Sequence, residues 1–315
     1  MTSQYRTIGT SDLAVFPLSL GGNVFGWTAD ERTSYEVLDA YVAGGGNFID
    51  TADSYSFWAP GNAGGESEHI IGRWIAKRGH RDDVVIATKV SQLPAFKGIA
   101  PETVTAGADA SLERLGLDVI DLYYAHFDEP DRPLHDTVAA FSALVDAGKI
   151  RYIGISNFST ARIAQWIDIA TTEGLHLPVA LQPEYSLMER AIEDEVVPLA
   201  LRHNLGVMPY YTLARGFLTG KYAGGAVVDS PRAAVASGYL DERGTRVLDV
   251  LSQLAGQHGV APASIALAWV AARPSIIAPI ASARTTQQLT DLVVSASVAL
   301  TPDEVDALTN ASTIN

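Results

Sequence analysis

A cylinder of eight parallel strands, each followed by a helix, is the architecture this 315-residue sequence predicts: the (β/α)8, or TIM, barrel. Three observations predict it. Short apolar runs recur along the chain, most of them separated by roughly ten to fifteen residues with helical periodicity. Seven of the runs end in a polar or aromatic residue, as expected if one rim of a barrel collects the chemistry. The length suits a barrel of about 250 residues with additions, and no linker divides it, so residues 1–315 are read as one domain.

The elements follow in order. Tyr5 to Thr7 and Leu13 to Phe16 flank Gly9-Thr10-Ser11-Asp12, a hairpin ahead of the repeat placed to close the barrel bottom. The first barrel strand is Leu18 to Gly21, running into the loop Gly22 to Trp27. The next seven are Phe48 to Asp50, Val84 to Thr88, Asp121 to Ala125, Ile150 to Ile155, Val179 to Leu181, Gly206 to Pro209 and Ile276 to Ile280. Helices are expected over Glu31 to Ala43, Glu66 to Lys77, Glu102 to Leu115, Leu134 to Ala147, Thr160 to Thr171, Ile192 to His203, Glu242 to Gln257 and Thr286 to Ser295. Pro101 suits a first helical turn and Gly116 a helix stop. The stretch Thr212 to Leu240, after the seventh strand, is too long for a plain connection and predicts a mobile loop over a ligand. Thr301 is placed to cap a short final helix.

Composition excludes several functions. A formal net charge of −14 repels nucleic acid and anionic lipid, and no basic patch interrupts it. An anionic cofactor would have to be held by a few local cations and backbone N–H groups. With no cysteine, disulfides, thiolate metal sites and a cysteine nucleophile are ruled out. The histidines lack metal-ligand spacing, so no metal is expected. The start MTSQYRTIGTSDLAVF has no signal-peptide pattern, and no apolar run reaches about 18 residues. A cytoplasmic protein is expected; oligomeric state is not legible. Gly21 to Gly26 lacks the spacing of a dinucleotide fingerprint, and Gly154 to Phe158 lacks the second glycine of a nucleophile elbow.

Asp50, Tyr55, Lys89 and His126 lie at or just after three strand ends. Singly, each reads as a cap, a packed ring, a solvated amine or a satisfied core histidine. Jointly they compose a device. A phenol with an ordinary pKa of about 10 donates a proton poorly near neutrality unless a cation stabilises the phenolate. Lys89 would supply that cation, Asp50 would keep the buried ammonium charged, and His126 would orient an acceptor oxygen. Such a set suits hydride addition to an aldehyde or ketone.

Here the sequence resembles the aldo-keto reductase family. Gly46-Asn47-Phe48-Ile49-Asp50-Thr51-Ala52-Asp53-Ser54-Tyr55, Ala87-Thr88-Lys89, Asp118 to His126 and Gly148 to Phe158 look like that family's signature blocks, in the family's order. The resemblance covers nearly the whole chain. It implies a reductase dependent on NADPH, with Tyr55 as general acid, Lys89 and Asp50 tuning it and His126 orienting the carbonyl. It also implies that Ser156, Asn157 and Gln182 hold the nicotinamide carboxamide and that Tyr210 stacks on the ring. Leu213, Arg215, Gly216 and Lys221 match the loop over the pyrophosphate, and Ser282, Arg284 and Gln288 fall where the 2′-phosphate is bound. That last assignment has physical support in the helix N-terminus near Thr286 and the planar cation of Arg284, which otherwise reads as a solvated arginine. The chain departs from many relatives at Tyr211-Thr212, where they carry Ser-Pro, and at Leu292, where they carry Asn.

Phe25, Trp27, Phe57 and Trp58 are expected to wall a pocket for aromatic or bulky carbonyl compounds. Two rivals compete. A barrel hydrolase would use paired carboxylates from Asp128, Glu129 and Glu184, but it leaves Lys89 and Arg284 without a role. The chain also resembles potassium-channel β subunits, which would make it a regulatory subunit. The intact four-residue set and the absence of a long amino-terminal extension argue for turnover instead.

Overall fold

The computed structural model describes residues 5–222 and 233–314. Strands β1 (Arg6–Thr7) and β2 (Ala14–Val15) pair antiparallel as the expected hairpin. Its Gly9 has φ +52°, and a Cβ there would lie 2.4 Å from the Val179 carbonyl oxygen, so the turn fits against the lower strand ends only as glycine. Ile8, Leu13 and Val15 thereby join the apolar cluster inside the barrel.

Eight strands form one parallel sheet: β3 (Ser19–Gly21), β4 (Phe48–Asp50), β5 (Val85–Val90), β6 (Ile120–Ala125), β7 (Ile150–Ser156), β8 (Pro178–Gln182), β9 (Gly206–Val207) and β10 (Ile280–Ala281). Their order is β10-β3-β4-β5-β6-β7-β8-β9. The sheet curls back on itself. Val207 bridges in parallel to Ile276, and the Ile280 N–H donates to the Pro209 carbonyl at 2.8 Å, so the predicted barrel is the observed fold. The last two strands are shorter than expected because Pro209 and Pro279 have no N–H for a ladder.

Helices are α1 (Glu31–Ala43), α2 (Glu66–Arg78), α3 (Pro101–Leu115), α4 (Leu134–Asp146), α5 (Thr160–Glu173), α6 (Val196–Arg202), α7 (Ala233–Ala236), α8 (Glu242–His258), α9 (Pro262–Ala271), α10 (Thr286–Val294) and α11 (Pro302–Ala311). Thr301 and Glu304 complete the expected capping box. The helix expected from Ile192 is instead a 3-10 turn over Ala191–Glu193, then α6, where Pro198 sits in the first turn and needs no N–H partner. Helix α9 has no counterpart in the sequence reading. Residues 263–270 are all buried, so the segment carries no amphipathic period to detect. Of the long stretch expected to be a mobile loop, residues 223–232 lie outside the described residues.

Side chains alternate along each strand. Phe48, Ala87, Leu122 and Tyr124 face the barrel interior, whereas Ile49, Ile86 and Tyr123 face the helices. The same alternation turns Asp50 and Lys89 inward, above this apolar plug. Tyr124 fits only because β7 carries Gly154 opposite it, where a Cβ would fall 2.3 Å from the ring. Gly154→Ala is therefore expected to cost about 1–3 kcal/mol in urea unfolding through overpacking. An unchanged midpoint would show that the ring has room to move. Among the described residues no helix is long and apolar enough to cross a membrane.

Candidate active site

The upper strand ends open into a cavity of about 770 Å³. Asp50, Tyr55, His126, Asn157, Gln182 and Tyr210 line it, as do Ser282, Arg284 and Gln288. Leu213, Arg215, Gly216 and Lys221 also form part of its wall. Lys89 and Ser156 stand just behind, both buried.

The Lys89 ammonium has three donors, and three groups receive them. Nζ lies 2.8 and 2.7 Å from the two Asp50 carboxylate oxygens, 2.7 Å from the Thr51 carbonyl and 2.9 Å from the Tyr55 hydroxyl. Burial pulls Lys89 below its ordinary pKa, and the Asp50 carboxylate opposes that pull. The Tyr55 hydroxyl donates to Asp50 Oδ2 at 3.2 Å. Burial first, and Asp50 second, hold the phenol well above its usual range. The consequence is that Tyr55 keeps its proton at every ordinary pH, while Lys89 is hydrogen-bonded to the oxygen on which charge would develop if the proton left.

His126 is held neutral, its pKa driven well down by burial and then by the Lys89 charge. Its ring centroid lies 6.2 Å from that of Tyr55, and its Nδ1 has no hydrogen-bond partner among the described residues. A neutral imidazole beside a neutral phenol frames a slot suited to one acceptor oxygen.

The residues expected to hold a carboxamide form one network. Asn157, at φ +57° where asparagine is tolerated, donates from Nδ2 to the His126 carbonyl at 2.9 Å and to Ser156 Oγ at 2.9 Å. Its Oδ1 accepts from the Tyr210 hydroxyl at 2.6 Å, and Ser156 Oγ donates to the Gln182 carbonyl at 2.8 Å. Gln182 Nε2 donates to Asp50 Oδ1 at 2.8 Å. The amide side chain thus ties this network to the carboxylate beneath Tyr55, a link between residues 132 positions apart that no local pattern announces.

After β10, Thr285 caps α10, accepting from the Gln288 N–H, and the Arg284 N–H donates to Gln288 Oε1 at 2.9 Å. Arg284 is only partly buried, and its position beside a helix N-terminus suits a phosphate. Arg215 stacks over Tyr211 at 3.9 Å and approaches Glu184 at 3.5 Å. Ala214, Arg215 and Gly216 have φ of 45°, 58° and 97°, a left-handed run that the wall of this cavity holds under strain.

The aromatic wall needs one correction. Trp27 and Trp58 meet edge to face at 5.6 Å and, with Phe57, line the cavity. Phe25 is fully buried in the layer between sheet and helices and does not line it. Val24 lines the cavity from that loop, while Phe127 and Gln92, which the sequence reading missed, complete the rim. Phe127 directly follows His126, which was the available signal. The carboxylates of the hydrolase rival are already engaged: Arg162 grips both Asp128 oxygens, and Glu129 binds Arg132 and the Ile99 N–H.

A parallel barrel that braces a buried phenol with an ammonium at its mouth defines a barrel oxidoreductase. Residues 17–313 match the Aldo/keto reductase family, and the chain belongs to it. It is 34% identical to the uncharacterized oxidoreductase YrpG of Bacillus subtilis, over 94% of this chain and 92% of that one. A probable voltage-gated potassium channel subunit beta from Oryza sativa subsp. japonica is 33% identical, covering 97% and 95% respectively. Norsolorinic acid reductase B of Aspergillus parasiticus is 30% identical, over 99% and 85%.

Proposed function

We propose that the protein reduces an aldehyde or ketone to the alcohol with NADPH. The carrying observation is the Lys89 ammonium hydrogen-bonded at once to Asp50 and to the Tyr55 hydroxyl. NADPH supplies the hydride. Tyr55 gives its proton to the carbonyl oxygen, Lys89 stabilises the phenolate left behind, and neutral His126 orients that oxygen by a hydrogen bond. A carbonyl oxygen entering the slot draws the phenol proton away from Asp50, its resting acceptor. Ser156, Asn157 and Gln182 would hold the carboxamide. Gln182 gives one amide N–H to Asp50, and its Oε1 would accept from the carboxamide N–H2. Tyr210 would stack on the ring, with Leu213, Arg215, Gly216 and Lys221 against the pyrophosphate and Ser282, Arg284 and Gln288 at the 2′-phosphate.

Trp27, Phe57, Trp58 and Phe127 favour an aromatic or bulky carbonyl compound. A panel of such aldehydes and ketones, followed by loss of reduced-nicotinamide absorbance, tests the reading. No turnover across the panel, with NADPH bound, would favour the regulatory role suggested by the channel-subunit relative.

Arg284→Ala is expected to weaken NADPH roughly 10- to 100-fold and NADH little, the loss expected for one charge-assisted pair to a phosphate. An unchanged NADPH to NADH ratio in fluorescence titrations would remove Arg284 from the site.

A further inference from the structure

Asp53 lies in the loop between β4 and α2, and the mechanism above makes no use of it. It is fully buried, and neither carboxyl oxygen has a hydrogen-bond partner among the described residues. Its backbone is fastened to the strand of Lys89: the Asp53 N–H donates to the Lys89 carbonyl at 3.2 Å, and the Asp53 carbonyl accepts from Gly65 at 2.7 Å. Glu68 of α2, Arg114 of α3, Lys89 of β5 and Tyr123 of β6 are the titratable groups whose fields it feels or supplies.

The pairing of charges in this layer leaves Asp53 over. Arg114 Nε bonds Glu68 at 2.6 Å, Glu68 also accepts from Thr88 at 2.5 Å, and Lys89 is bonded to Asp50. A carboxyl without a close counter-ion in a dry layer tends to keep its proton. Burial, then repulsion from Glu68, pushes Asp53 up to about 7, with Arg114 and the neighbouring Ser54 pulling the other way. The group therefore gains its charge near neutrality, and that charge acts on the ammonium that braces Tyr55.

We propose that Asp53 is a positioning residue for proton transfer: once ionised, it holds Lys89 as an ammonium and so keeps the brace on Tyr55 intact at alkaline pH. The proposal rests on the reading of Lys89 given above. Desolvation works to strip Lys89 of its proton, and the charges of Asp50, Asp53 and Glu68 all work to retain it. Of these, Asp53 is the one whose charge appears as pH rises through about 7. The sign for stability is opposite. The folded protein keeps a proton on Asp53 that the unfolded chain releases above about 3.8, so this group's contribution is full below that pH and is lost as pH rises through about 7.

Protein labelled with 15N-lysine and 13C-aspartate tests the coupling directly, with the Lys89 Nζ signal assigned by its loss in Lys89→Met. In the wild type, Lys89 Nζ is expected to shift in step with ionisation of the Asp53 carboxyl. In Asp53→Asn that step disappears, and Lys89 loses its proton roughly one to two pH units lower, as for unit charges about 6–12 Å apart at an effective dielectric near 20. The alkaline limb of kcat moves the same way, NADPH affinity at pH 6 changes less than about twofold, and the variant gains on the wild type in urea stability between pH 5 and 8. A wild-type Lys89 signal blind to Asp53 ionisation overturns the proposal, whether or not the asparagine variant folds. So do superimposable kcat profiles in a folded variant. A protein without carbonyl reduction fails the functional reading, and the two resonance titrations still decide the coupling.

Discussion

Tyr55→Phe is expected to slow carbonyl reduction by about 10²–10⁴-fold, the range contributed by a positioned general acid. NADPH binding should change little. The phenyl ring keeps the volume of the phenol and its edge contacts with Trp58 and His126, at 6.4 and 6.2 Å between centroids. The proposed cofactor contacts at Asn157, Gln182 and Arg284 do not touch the hydroxyl. What disappears is the proton, together with one of the three partners of the Lys89 ammonium. Steady-state kcat alongside a fluorescence titration of NADPH separates the two effects. Equal loss of both would show that Tyr55 shapes the cavity and does not deliver a proton.

Lys89→Met is expected to damage the protein more broadly. It leaves the Asp50 carboxylate, 1% exposed, with Gln182 and the Tyr55 hydroxyl as its remaining partners. Removing one member of a buried ion pair costs about 3–5 kcal/mol, because the other charge stays in a dry site. Urea unfolding should show that loss, and kcat should fall with it. The double variant Asp50→Asn, Lys89→Met separates the causes, because it removes the stranded charge along with its partner. Its stability should exceed that of Lys89→Met alone, while reduction remains abolished. A double variant as unstable as the sum of its parts would mean that packing around the lysine stem, and not charge, carries the cost.

Where the sequence was informative, a physical period made it so. Short apolar runs, recurring between stretches of helical period, located the strands and put Asp50 and Lys89 at their ends; the inward direction of both side chains required the fold. Helix α9 was invisible for the same reason, because a segment buried on every side has no period. Phe25 was assigned to the cavity because it occupies a loop among other aromatics, but a loop position does not tell which way a ring turns. Nothing in the local sequence marks Asp53, Glu68 and Arg114 as buried; only the packing of α2 and α3 on the sheet puts them in a dry layer. The hydrogen bond from Gln182 to Asp50 depends on β8 and β4 meeting across the closed barrel, a property of topology that neither local segment encodes. The four central residues were legible because they stand at consecutive strand ends with family-like spacing, whereas the resting direction of the Tyr55 proton required coordinates.

The hairpin of β1 and β2 also governs traffic. With Ile8, Leu13 and Val15 stoppering the lower end of the cylinder, anything bound for Tyr55 travels by way of the upper rim. Were the protein to turn over as proposed, cofactor and carbonyl compound would share that doorway, and their arrivals would follow an order.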